Sequence, residues 1–280
     1  MAISIASSAV LVDLNISVWT ARKMDKRVSR EINISKQATE SAGNYSKHIL
    51  TGADQLDRIH KLASEIREWH ARQTLPWADS GTRLLPMLNF FDYKTRLSEY
   101  EQEFKDIVDQ FIVEYPNLIS VMAFRLGAMF DRNEYPAVDI VANKFSLRYT
   151  IIPVPEVGDF RVDVGADMMK EIEAQYEKAY NSRVESAMSD AWSRLHTTLE
   201  HMVDRLSGDD KKIFRNSLIE NALELTSLLT KLNVSNDPKL ERARVELEQS
   251  LVGVTPDDLR QSQAIRADVL SRVNQIMESI

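Results

Sequence analysis

The chain has 280 residues, 44% hydrophobic and 28% charged, the balance of an ordinary globular protein. Its 35 Lys and Arg against 42 Asp and Glu give a formal net charge of −7, which argues against a general polyanion binder but leaves room for a local basic face. The lack of cysteine excludes disulfides, thiolate metal sites and cysteine nucleophiles, and it fits a reducing cytoplasm.

Eight Gly and eight Pro leave few turns, which favours long helices over a strand-rich fold. The opening MAISIASSAVLVDLNISVW has no basic leader and is broken by Asp13 and Asn15, so it reads as an ordered segment rather than a signal peptide. No stretch reaches the apolar length that spans a bilayer, and a soluble, intracellular protein is expected. Val10, Val12, Leu14, Ile16 and Val18 alternate as in a strand over 9–19, although Leu11 and Trp19 fall out of phase. The next segment is basic: Arg22, Lys23, Lys26, Arg27, Arg30 and Lys36 face only Asp25 and Glu31. It reads either as a contact for nucleic acid or an acidic partner, or as a solvated helix face.

Residues 37–75 read as a helix interrupted near Gly43 or Gly52, with Leu56, Ile59, Leu62 (or Ala63), Ile66 and Trp69 as its apolar stripe and Pro76 ending it. The turn-rich PWADSGTRLLP follows. Around it, Trp69, Trp77, Asp79 and Arg83 form, with Glu68, His70 and Arg72, the densest mixture of aromatic and ionisable groups in the chain. Such a loop either anchors itself on the core or forms a recognition surface. An amphipathic helix is expected over 89–115, stopped by Pro116, then a short apolar helix over 117–130 buried on most sides. After Pro136 another short helix runs to Ala142.

In KFSLRYTIIPVPEVGDFRVDVG, Phe145, Leu147 and Tyr149, and then Phe160, Val162 and Val164, alternate with polar residues. This predicts a β-hairpin over about 145–164 that packs on helices or pairs with the 9–19 segment. From Ala166 to Leu206, apolar residues recur every three or four positions from Met169 through Tyr180, Ala191 and Leu199 to Leu206. An uninterrupted helix of this length runs ~60 Å and must lay its stripe on other helices. Further helices are expected over 211–232, 238–252 and 256–279, the last begun by Thr255-Pro256-Asp257.

Phosphate-loop and dinucleotide glycine patterns are absent, and the glycines are scattered singly. His196 and His201 stand five apart, which points them to different sides of a helix. Asp209-Asp210 and Asp257-Asp258 lie where helix starts favour acidic residues. No serine occupies a nucleophile elbow. No catalytic residue, metal ligand or cofactor is therefore assigned.

The runs LNISVWTARKMDKRVS, AGNYSKHIL, REWHARQTLPWADSGTRLLPMLNFF, FRLGAMFDRNEYP, IPVPEVGDFRVDVG and LLTKLNVSNDPKLERAR are similar to a family of tailed bacteriophages and related mobile elements. It is the family catalogued as domain of unknown function 3150. The resemblance extends over nearly the whole chain and is most distinctive in the tryptophan loop and the PVPE-GDFR segment. It implies no established activity and no catalytic residues. Members sit near genes for ATPases of the MoxR or cobalt-chelatase type and for proteins with a von Willebrand A-like domain. A helical adaptor in an ATPase-driven remodelling system, in the cytoplasm of the infected bacterial host, is what that setting implies.

The reading as a whole is a mainly α fold: an elongated bundle of long amphipathic helices, coiled-coil-like in its packing, with one small β-hairpin. It forms a single domain over 1–280, with sub-parts 1–165 and 166–280. The expected function is non-enzymatic interaction, with itself and with a phage or host protein, an ATPase among the candidates, and without a membrane. The alternative is nucleic-acid binding in phage replication, recombination or packaging through Arg22, Lys23, Lys26, Arg27 and Arg30. Trp69, Trp77, Asp79 and Arg83 are the candidate partner-binding loop.

Overall fold

A computed structural model describes residues 5–155, 166–207 and 216–280. In chain order the elements are β1 (Ala9–Ser17), β2 (Arg22–Met24), α1 (Lys26–Ser35), β3 (Ser46–His48), α2 (Asp54–Gln73), β4 (Leu75–Pro76), β5 (Arg83–Pro86) and α3 (Phe90–Leu126). They continue with α4 (Val138–Ala142), β6 (Ser146–Pro153), α5 (Ala166–Leu206), α6 (Ser217–Leu232), α7 (Pro238–Ser250), α8 (Pro256–Gln261) and α9 (Gln263–Ser279). The fold is mainly helical, as the composition predicts. Two compact units arise, one from Met1–Asp13, His70–Lys94 and Thr150–Ile280, the other from Leu14–Trp69 and Thr95–Tyr149.

In the first unit α5 has the bounds that its periodicity predicts. Tyr180, Ala187, Ala191, Leu195, Leu199, Met202 and Leu206 are buried along it. They pack on α6 and α9, while α7 contacts both α6 and α9. Toward the start of α5 the stripe is weaker: Met169, Ile172 and Tyr176 are only half-buried. Side-chain caps set the later boundaries. Asp237 accepts from the amides of Lys239 and Leu240 at the start of α7, and Thr255 and Asp258 form a reciprocal capping box on α8. The helix expected over 256–279 is in fact two. Ser262 has extended backbone, ends α8, and caps α9 through the amide of Ile265. Residues 211–215 of the expected 211–232 helix lie outside the described residues.

The strands of the larger sheet lie in the order β4-β5-β1-β6. β1 is interior, and its Leu11 and Val12 are both buried, which is why its alternation is imperfect: a strand covered on both faces needs no polar side. β6 is the first arm of the expected 145–164 hairpin and takes its place beside β1; the second arm lies outside the described residues. The PWADSGTRLLP stretch is not a loop throughout. Leu75 and Pro76 pair antiparallel with Leu84 and Arg83, and β5 pairs with β1. Pro76 is tolerated because β4 ends the strand order, where a missing N–H costs no ladder bond.

In the second unit Leu56, Ile59, Leu62, Ala63, Ile66 and Trp69 form the buried stripe of α2, as expected. The helix does not extend back to residue 37. The Asn33 amide donates to the carbonyls of Glu40 and Gly43, the Tyr45 amide donates to the Ser29 hydroxyl, and β3 pairs with β2. These non-local bonds fix 37–53 as turns around a short strand. Nor does Pro116 stop α3, which runs through it for 37 residues. Tyr115 before it and Ile119, Met122 and Leu126 after it are buried, and their burial outweighs the one helical bond that proline lacks. The expected burial of 117–130 on most sides is also corrected. Within it Phe124 is 89% exposed and Val121 42%, and Val113 just before it is 74% exposed, all on the outer side of α3. Among the described residues no helix is long and apolar enough to cross a membrane.

Candidate functional site

The last carbonyls of a helix have no intrahelical partner and form the negative end of its dipole. At the end of α2 two arginines from distant parts of the first unit occupy that position. Arg83 on β5 donates through Nε to the Thr74 hydroxyl at 2.7 Å and through Nη2 to the carbonyls of Ala71 and Thr74, each at 3.1 Å. Arg194 on α5 donates to the carbonyls of Arg72 at 2.6 Å, Ala71 at 2.9 Å and Thr74 at 2.8 Å. One turn earlier on α5, Asp190 forms an ion pair with Arg194 at 2.7 Å. Burial lowers the pKa of Arg83, and the cation of Arg194 lowers it further while Asp190 opposes the shift.

Beside this cluster lies an open cleft of about 660 Å3 between α5, α6, β5 and the end of α2. Arg72 and Arg83 line it, Ser193 and Thr197 face it from α5, and Asn221 and Glu224 from α6. Leu225 and Leu228 supply apolar surface. Its volume falls in the range of small-molecule sites.

His70, also near the end of α2, is 6% exposed and shares a 2.8 Å hydrogen bond between Nδ1 and the Tyr93 hydroxyl. Its Nε2 is buried without a hydrogen-bond partner. Burial, reinforced by the Arg83 cation, drops its pKa to about 4, so it is neutral at physiological pH.

The candidate loop residues have separate places. Trp77 is buried, meets Tyr180 edge to face and thereby anchors the β4–β5 hairpin on α5; the Tyr180 hydroxyl accepts from the Ile5 amide. Asp79 is exposed at the hairpin tip, and Arg83 reaches the cavity. Trp69 belongs to the second unit, where its ring packs edge to face on Tyr100. No sequence motif marks Arg194, Asp190 or Thr74. The only local signal is the i,i+4 spacing of Asp190 and Arg194.

The basic segment lies in the second unit. Arg22 and Lys23 are exposed on β2, and Lys26, Arg27 and Arg30 lie on α1, whose start is capped by Asp25. Arg27 lies 3.6 Å from Glu31 and donates to the Ala128 carbonyl, and Arg30 lies 3.7 Å from Glu40. Arg22, Lys23 and Lys26 have no partner among the described residues. Arg22 also lines an open cavity of about 700 Å3 with His48, Asp57 and His60. Among the described residues no cluster of three or more His, Asp or Glu could hold a metal ion.

No protein-family model, curated protein or solved structure matches the chain.

Proposed function

We propose that the chain is a non-enzymatic interaction protein that associates with itself and with a phage or host protein. The observation that carries this reading is the outer side of α3, where Val113, Val121 and Phe124 are left in water. From Pro116 to Phe124 this helix carries no charge, so nothing on it repels an apolar partner. Large apolar side chains exposed together on one side of a helix suit a partner's apolar surface better than water, even with the exposed Asn117 and Ser120 between them. The resemblance to the phage family supports the setting: the cytoplasm of an infected bacterium, with an ATPase of the MoxR type as the candidate partner.

Sedimentation across a concentration series tests the self-association. The wild type is expected to form a higher species that Phe124→Ser removes without loss of helical signal. A strict monomer at all concentrations would refute self-association. A stoichiometric protein recovered from nuclease-treated infected lysate by the wild type, and not by Phe124→Ser, supports the adaptor role. Equal recovery by both chains would remove the α3 face from it.

A second reading rests on Arg22, Lys23 and Lys26, three exposed cations without partners among the described residues. They favour a nucleic-acid backbone contact, which Arg27 and Arg30 support less because carboxylates already stand near them. Binding to DNA that weakens steeply with salt, and that is lost when all five residues are alanine, is expected on this reading. No complex at low salt ends it.

A further inference from the structure

We propose that the cavity between α5, α6 and the end of α2 is a binding site for a phosphate ester of a small hydroxylated molecule. Three arginines, Arg72, Arg83 and Arg194, line the cleft against two carboxylates, Asp190 and Glu224. Arg194 is matched by Asp190 at 2.7 Å, whereas Arg83 has no carboxylate within ion-pairing distance among the described residues. Two of its nitrogens are spent on the end of α2, and Nη1 makes no hydrogen bond there. Arg72, on the same rim, has no side-chain partner at all among the described residues. Arg83 and Arg194 thus share the single carboxylate of Asp190, and an entering anion balances the charge left over. Two guanidinium groups suit the several oxygens of a phosphate, each accepting charge-assisted hydrogen bonds.

The remainder of the wall describes the rest of the ligand. A volume of about 660 Å3 is far more than a bare phosphate fills. Ser193 and Thr197 stand one turn apart on α5 and present hydroxyls; Asn221 and Glu224, three apart on α6, present an amide and a carboxylate. These groups donate to and accept from ligand hydroxyls, while Leu225 and Leu228 cover the carbon skeleton. Glu224 also disfavours a second anionic group, which selects a monoester over a polyanion.

Calorimetric titration of the full chain at low ionic strength tests the site, with inorganic phosphate, glycerol 3-phosphate, ribose 5-phosphate and glucose 6-phosphate as probes. At least one ester is expected to bind about tenfold more tightly than inorganic phosphate, the gain of one or two further hydrogen bonds. Arg72→Gln removes a side chain that holds nothing in the fold, and it is expected to weaken that ester by about tenfold, the loss of a charge-assisted contact. Asn221→Ala is expected to weaken the ester and leave inorganic phosphate unchanged. Circular dichroism of both variants checks that they fold. Esters that bind no better than inorganic phosphate, or an affinity indifferent to Arg72→Gln, would overturn the proposal. Because α3 plays no part in this site, failure here leaves the adaptor reading standing, and a monomeric chain leaves this one standing.

Discussion

Arg83 and Arg194 donate to the same two carbonyl groups, those of Ala71 and Thr74. Two like charges are thereby drawn together by one helix end, whose unpaired carbonyls attract both. The arrangement ties α2, β5 and α5 to a single point, and it holds the wall of the cavity. Each arginine partly covers for the other. Arg194→Met is expected to lower the unfolding free energy by about 2–3 kcal/mol, the scale of hydrogen bonds to a charged group. Arg83→Met should cost a similar amount. The double variant leaves both carbonyls without a side-chain donor, so its loss should exceed the sum of the singles by more than about 0.5 kcal/mol. Urea unfolding of the four proteins measures this, and simple additivity would refute the shared-acceptor account.

His70 supplies a pH dependence whose sign is fixed by its environment. Burial first, and the Arg83 cation second, drop its pKa from 6.5 to about 4. The unfolded chain therefore takes up a proton at this residue before the folded one does. The stability that neutral His70 contributes is complete above pH 6.5 and is lost as pH falls toward about 4. The loss amounts to about 3 kcal/mol across that window. His70→Gln removes the titration. Unfolding midpoints measured between pH 7 and 4 should fall more steeply for the wild type than for the variant; parallel curves would count against the buried neutral imidazole.

The parts of this fold legible in the sequence are those set by neighbours along the chain. α5 is legible because its stripe repeats without Pro or Gly, and the start of α8 because Thr255 and Asp258 cap it locally. What long-range partners decide was not legible. The short β4 depends on β5 across a turn, and 37–53 is held by Asn33, Ser29 and β2 rather than by its own propensity. The candidate site follows the same rule. Arg83 stood out because aromatic and charged residues crowd around it in sequence. Arg194 did not, because its acceptors lie 120 to 123 positions away.

Lys47 tests how the second unit handles a buried charge. Its side chain is 4% exposed, with Nζ 2.9 Å from Glu134, 3.3 Å from Asp25 and 2.6 Å from the Met129 carbonyl. Burial opposes the charge, but the bonds to Glu134 and Asp25 outweigh it and raise the pKa. Lys47→Met strands two largely buried carboxylates and is expected to cost about 3–5 kcal/mol. Combining it with Asp25→Asn and Glu134→Gln removes both stranded charges and keeps a side-chain oxygen to cap Val28. That triple variant should regain most of the loss in denaturant unfolding. If it is as unstable as Lys47→Met alone, uncompensated charge is not the cause.

Pro116 sets tertiary burial against local propensity. It lies inside α3, exposed, and lacks the N–H that would donate to the Ile112 carbonyl one turn earlier. The helix continues because Tyr115, Ile119 and Met122 on its inner side are buried on both flanks of the proline. If burial carries the helix through this point, the proline is a cost the fold tolerates rather than a feature it needs. Pro116→Ala restores a backbone donor and a better helix former at an exposed position, and is expected to raise stability by about 1–3 kcal/mol. Part of the gain is offset because proline also restricts the unfolded chain, by about 1 kcal/mol or less. A neutral or lowered unfolding midpoint would mean that α3 requires the distortion proline introduces, and that its inner face packs only on a bent helix.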